Sequence, residues 1–208
     1  SQKFEPRCAP LLQVTLPKSL ARDVWQSGKL EQELRVFQKE VYEESGLILP
    51  LPDIALVNND AVASPSIVIL LRGVPIAQLP CGRDKETAAQ LLLKLGAIVR
   101  EQADELIDDI MTRRALDFLD KDAPELVSAV IPGVISVTQL TEVLKGLVRE
   151  GISIRNFELI VQAMSESGPK VTGERALLEE ARIALKRTIS HKYKDAQETI
   201  RAYALDNI

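Results

Sequence analysis

A chain of 208 residues that is 46% hydrophobic and 27% charged is long enough to bury one core or two small ones. Its 26 Lys and Arg against 30 Asp and Glu leave a formal net charge of -4, which removes the sequence-independent phosphate attraction that nucleic-acid binders rely on. Cys8 and Cys81 form neither a disulfide framework nor a Cys-x-x-Cys site, and the single histidine, His191, excludes most triads and His-rich metal centres. A reducing compartment fits such cysteine usage. Apolar runs of about 18 residues are missing, and 1–10 lacks the pattern of a signal peptide, so no segment reads as membrane-spanning. A first residue of Ser1 in place of Met points to a processed or longer parent.

Leu11 to Leu16, apolar and bounded by Pro10 and Pro17, reads as the first strand. Ser19 and Lys29 bracket two helical pieces around Gly28. In the second, Leu30, Leu34, Phe37 and Val41 form one face for packing on a sheet. Gly46 stands where a left-handed cap belongs, and Pro50 and Pro52 prevent continuation. Ile54 to Asn58 and Ile67 to Leu71 read as strands, and Arg72-Gly73 turns the latter into a hairpin with Val74 to Gln78. Strand, helix, three strands is a small α+β layer, and the break at 79–82 ends it.

From Asp84 the period is helical. Residues 87–112 are rich in Ala, Leu and Ile at helical spacing, and Pro124 opens a short helix after a loop at 120–123. Ser136 with Gln139 is a capping box, with Ile135 able to staple on Leu140. Val137, Leu140, Val143, Leu144 and Leu147 make that helix's apolar face and Gly151 ends it. Ser153 is the expected cap of the next helix, with Phe157, Ile160, Val161 and Met164, and the pair is expected to form a compact hairpin. After the polar connector 165–173, residues 174–192 read as one amphipathic helix carrying Leu177, Leu178, Ala181, Leu185 and Ile189, and Thr199 to Leu205 as a strand without a local partner. The expected organisation is an α+β subdomain at 1–80, a helical subdomain at 81–168 and the start of a C-terminal subdomain at 169–208.

Acidic residues gather at Glu101, Asp104, Glu105, Asp108 and Asp109, and the i, i+4 spacing of Asp104 and Asp108 would put two carboxylates on one helix face. Without a second carboxylate helix this is a solvated face, and no metal is expected. The helix pair at 136–164 has helix-turn-helix spacing, with Arg155 and Asn156 where base readers sit. Glu142, Glu150 and Glu158 oppose DNA, so a DNA-binding regulator with an α+β sensor domain is the alternative function only. No nucleophile has a neighbouring base and no glycine-rich phosphate loop exists, so neither an enzyme nor a bound cofactor is expected. Arg187, His191, Lys192 and Lys194 sit near a helix C-terminus, where cations offset the macrodipole. Trp25, Tyr42, Tyr193 and Tyr203 are the candidate anchors for a protein partner.

Pro124 to Met164 resembles the signature region of the type III secretion export-gate family, the large inner-membrane export apparatus protein of injectisomes and flagella. Its Pro-x-Leu-Val opening stands at 124–127, the helix end Leu-x-x-Glu at 147–150, the Ile-Arg link at 152–157 and the following helix at 160–164. Ala181 to Tyr193 is similar to the family's next helix, and 10–78, more loosely, to its first cytoplasmic subdomain. The family's second subdomain is absent or collapsed here, with the chaperone-binding surface attributed to it. The last subdomain stops just after Leu205, and Asn156 replaces the common Asp. The resemblance implies a non-enzymatic protein of the bacterial inner membrane, this segment lying in the cytoplasm and the membrane helices in a missing N-terminal region. It implies a nonameric homo-oligomeric ring that meets secretion chaperone–substrate complexes and other export apparatus proteins, with an injectisome favoured over a flagellum. Arg149, Glu150, Ile154, Arg155 and Asn156 are the implied interface or structural motif. Arg155, at a helix start where the dipole disfavours a cation, is expected to serve a carboxylate such as Glu150 or one of an adjacent subunit.

Overall fold

The computed structural model describes residues 9–18, 29–57, 66–80, 86–167, 170–171, 173–194 and 199–200. They form two compact units, 1–43 with 48–102, and 44–47 with 103–208. These boundaries do not coincide with the chain breaks near 80 and 168.

The first unit is built on a four-stranded mixed sheet, β1 (Leu12–Pro17), β2 (Asp53–Val57), β3 (Ser66–Leu71) and β4 (Val74–Pro80), in the order β2-β1-β3-β4. β1 and β2 are parallel, which requires a crossover, and α1 (Lys29–Ser45) supplies it. β3 and β4 form the expected hairpin: Arg72 (φ 49°) and Gly73 (φ 83°) both take the left-handed conformation that a two-residue turn needs. Leu12, Val14 and Leu16 with Ile67, Ile69 and Leu71 make the buried sheet face, while Gln13, Thr15, Val68 and Leu70 on the other face are half-buried. Leu30, Leu34 and Val41 of α1 are buried and Phe37 is half-buried. α2 (Glu86–Glu101) passes α1 closely, since a Cβ at Gly96 would lie 3.7 Å from the Phe37 ring. The α+β class therefore holds, with β4 running on to Pro80. The helical piece expected at 19–28 lies outside the described residues, as does most of the strand expected from Thr199 to Leu205, of which only 199–200 are described and are not in a strand.

The second unit is helical: α3 (Asp109–Asp122), α4 (Pro124–Val130), α5 (Val137–Arg149), α6 (Phe157–Ser167), α7 (Glu174–Ala184) and α8 (Lys186–Tyr193). Three features differ from expectation. The helical run at 87–112 is broken, because Leu106 and Ile107 turn inward and Asp108, in extended conformation, caps α3 by accepting from Met111 N–H at 2.8 Å. The helix at 174–192 is interrupted at Leu185, which is buried between α7 and α8. The loop expected at 120–123 shrinks to Ala123, which follows α3 and precedes Pro124.

The capping box of α5 is present in full: Gln139 N–H donates to Ser136 Oγ (3.1 Å), and Ser136 N–H to Gln139 Oε1 (2.8 Å). All five residues of its predicted face are buried. α5 and α6 do not form a mutual hairpin; each packs far more on α7 than on the other. α3 packs on α5 more than on α6, and α4 on α6. A hydroxyl chain fixes α3 to α5. Buried Thr112 and Thr141 lie with Oγ atoms 2.8 Å apart, and Thr141 donates to Asp109 Oδ1 (2.8 Å), which Thr138 joins at Oδ2 (2.8 Å). Within the low local dielectric such a chain rewards completeness and penalises a lost member. Replacing Thr141 by Val is expected to lower the stability of the second unit by about 1–2 kcal/mol in urea unfolding, against less than about 0.5 for exposed Thr138→Val.

Candidate functional site

The signature residues lie on and around the extended link 150–156 between α5 and α6. α5 ends by a left-handed turn: Gly151 has φ 67°, and Ile152 N–H returns to Leu147 O at 2.9 Å. Ile152 and Ile154 then plug inward, buried, while Arg155 and Asn156 stay exposed. Ser153 does not cap α6 as expected. Its Oγ accepts from Arg155 N–H at 3.3 Å, and the first helical acceptor is Asn156 O, from Ile160 N–H at 3.3 Å.

Three neighbours hold the link. From α7, Arg182 engages both carboxylate oxygens of Glu150, through Nε to Oε2 at 2.8 Å and through Nη2 to Oε1, and also pairs with Glu179. From α8, Lys192 donates to Gly151 O, and Asn156 Nδ2 donates to Thr188 Oγ1 at 2.9 Å. From the segment 44–47, Ser45 O accepts from Ile154 N–H at 2.8 Å. Gly46, at φ 80°, lies so close that a Cβ would stand 2.2 Å from Arg155 N and 2.5 Å from Ile154 C. The chain approaches itself there backbone to backbone, which only glycine permits.

Arg149 reaches the turn before α3, where its Nε meets Asp104 Oδ2 at 2.8 Å. The acidic cluster is thereby dispersed. Asp104 lies in that turn and Asp108 at a helix cap, so they do not share a helix face; one serves Arg149, the other Met111, and Asp109 the threonines. The bond from Arg149 lowers the Asp104 carboxyl below its usual range; Arg182 does the same for Glu150, and Thr141 with Thr138 for Asp109. Such an arrangement positions main chain. Glu150, Arg149 and Asn156 were marked by the sequence; Arg182, Thr188, Lys192 and Gly46's contact with the link were not, because each acts across more than 30 residues of chain.

A mixed sheet and a helical unit with a clamped α5–α6 link make up a fold that has counterparts among solved structures of type III secretion proteins. Over 99% of this chain and 74% of the other, the fold matches CdsV of Chlamydia pneumoniae (TM-score 0.80, 20% identity). CdsV as seen in a complex with CdsO matches at TM-score 0.78 (19% identity, 96% and 74% covered). The nonameric EscV cytosolic domain from the type III secretion system matches at TM-score 0.74 (22% identity, 93% and 69%). The profile described as the FHIPEP family covers residues 83–208, and the chain belongs to that family. Flagellar biosynthesis protein FlhA of Yersinia enterocolitica is 29% identical over 121 residues, 58% of this chain and 18% of the relative. Low calcium response locus protein D of Yersinia pestis is 36% identical over 112 residues, 54% of this chain and 16% of the relative. The chain thus spans about a sixth of the length of these two relatives.

Two measurements check the geometry. Gly46→Ala, which meets both the positive φ and fixed backbone, is expected to destabilise by about 2–4 kcal/mol, whereas Gly133→Ala, with nothing within 4 Å of its Cβ, stays within about 0.5. Because Asp104, Asp109 and Glu150 titrate lower when folded, their contribution is complete above the usual carboxylate range and is lost as pH falls through their folded values. The urea midpoint should therefore drop between about pH 5 and pH 3. Glu150→Gln should start lower at pH 7 and drop less; an identical profile would deny the Arg182 bond its role.

Proposed function

We propose that this chain is the cytoplasmic part of a bacterial inner-membrane export gate, a non-enzymatic ring that receives chaperone-delivered substrates and helps order their export. The observation that carries the reading is the fold shared with the nonameric EscV cytosolic domain along 93% of this chain. Helices α5 and α6, seven residues apart and packed on α7 in preference to each other, favour this over a DNA-reading helix-turn-helix, whose two helices pack together across a short turn. Among the described residues no helix is long and apolar enough to cross a membrane, so anchoring falls to residues outside them. CdsV in complex with CdsO supports other apparatus proteins as partners. The match to the EscV cytosolic domain from the type III secretion system supports an injectisome, while the FlhA relatives keep a flagellar system as the alternative. Within the three-subdomain scheme of 1–80, 81–168 and 169–208, Arg149, Glu150, Ile154, Arg155 and Asn156 serve as the structural motif around the α5–α6 link, with Glu150 and Asn156 tying it to α7 and α8, Ile154 to Ser45, and Arg149 tying the end of α5 to Asp104.

Deleting the encoding gene is expected to stop release of type III substrates into the medium, with substrates and chaperones still made in the cell. Re-supplying the gene restores release, and Gly46→Ala restores it only in part. Undiminished secretion from the deletion strain overturns the proposal.

A further inference from the structure

We propose that the outer edge of β2 is a docking site for an extended, unfolded segment of an exported protein, which adds there as a further strand of the sheet. The inference rests on the export-gate reading and names the part of a substrate that the gate holds: free main chain, with an apolar side chain beside Leu56 and a cation near Asp53.

The two edges of the sheet are built differently. β4, at one edge, carries Pro75 and Pro80, which offer no N–H, and its ladder with β3 shifts register between Ile69 and Leu70. Proline and a bulge are common means of refusing a further strand. β2, at the other edge, has neither. Its residues Asp53 to Val57 pair with β1 in unbroken parallel register, contain no Pro, Lys or Arg, and among the described residues have no strand on their other side. An edge strand turns alternate N–H and C=O groups outward, where water or another strand must meet them. The side chains continue the apolar layer to this rim. Val14 and Leu16, buried in the sheet face, stand opposite Ile54 and Leu56, so all four share that face. Ile54 is half-buried and Leu56 46% exposed, which makes Leu56 the uncovered end of a layer and not an isolated surface leucine. Asp53 is exposed, accepts from Gln13 Nε2 at 3.3 Å and has no ion pair among the described residues.

Two occupants suit an open edge: the β2 of a second copy, or a segment of another chain. Pairing of two copies edge to edge is a twofold contact that uses both edges at once. An odd-numbered ring, such as that of the nonameric EscV cytosolic domain, cannot pair all its members in this way. A folded partner has its main chain already bonded, whereas an unfolded segment has it free. Strand addition draws affinity from main-chain hydrogen bonds and leaves most of the added sequence unread. That tolerance suits a gate that passes more than one protein. The selection that remains comes from the rim: Leu56 gains from an apolar neighbour, and Asp53 favours Lys or Arg over an acid.

Amide hydrogen exchange of the full chain tests this, with a short peptide of alternating Val and Thr, blocked at both termini and bearing Lys at each end, as the probe. The peptide is expected to slow exchange at 53–57 about tenfold or more and to leave 74–80 unchanged. The same peptide N-methylated at every Val and Thr, which keeps the side chains and removes the main-chain donors, slows neither. Leu56→Lys is expected to weaken binding about tenfold, while Val74→Lys, at the 62% exposed start of β4, leaves it at the wild-type level. Asp53→Lys weakens binding of the Lys peptide and strengthens binding of one bearing Glu at each end, an exchange of preference that a misfolded variant does not produce. In cells, Leu56→Lys is expected to lower release of type III substrates and Val74→Lys to leave it unchanged. Exchange at 53–57 unaltered by the peptide at about 1 mM, where a 4 kcal/mol contact would register, overturns the proposal. Protection by the N-methylated peptide, or at 74–80 in place of 53–57, overturns it as well. Protection at 53–57 that rises with protein concentration and no peptide overturns it in favour of a second copy. Undiminished release from the Leu56→Lys strain overturns the exported segment as the occupant. None of these failures touches the export-gate reading, which stands or falls on secretion from the deletion strain.

Discussion

Main chain fills the space that a side chain would need at Gly46, and the arrangement of the second unit follows from that approach. Residues 152–156 belong to no helix or strand, so their buried amides have no ladder to join. Ile154 N–H finds Ser45 O, and Ile152 N–H finds Leu147 O. Leaving either amide unpaired beside the buried Ile152 and Ile154 side chains costs about 1–3 kcal/mol. The closeness that satisfies Ile154 is the closeness that excludes a Cβ at residue 46. With the link held there, its other side is left for Arg182, Thr188 and Lys192, and α7 and α8 are placed by what they give to it.

Stability and placement come from different interactions. Leu140, Leu144, Leu147, Ile160, Val161 and Met164 are almost wholly removed from water, and each such side chain contributes about 1.5–3 kcal/mol. The Arg182–Glu150 pair is part-exposed and belongs to a class worth about 0.2–1 kcal/mol. Burial therefore decides that α5, α6 and α7 pack, and the polar contacts decide in what register. An apolar stripe tolerates sliding by a fraction of a turn; a two-point guanidinium–carboxylate contact does not.

What could be read in the sequence follows the same division. α5 was legible throughout, because its cap, stripe and terminating glycine are all local. The β3–β4 hairpin was legible for the same reason. The break between α2 and α3 was not, since 102–108 holds no Gly or Pro; the turn exists because Leu106 and Ile107 are drawn into the core and Asp104 to Arg149, 45 residues on. Leu185 likewise interrupts α7 and α8 by burial and not by propensity. The parallel pairing of β1 with β2 rests on a crossover that no local pattern encodes. At the site the marked residues proved to sit together, but their partners, Arg182 above all, were hidden because charged residues on a helix surface look alike until the fold selects one.

A resemblance concentrated in 124–164 marks Arg149, Glu150 and Asn156 as an interface or structural motif, and the fold bonds all three within the unit. Arg149 is satisfied by Asp104, Glu150 by Arg182 and Asn156 by Thr188. A group already bonded in the free chain must give up that bond before serving a partner, so it contributes less to association than a group that meets only water.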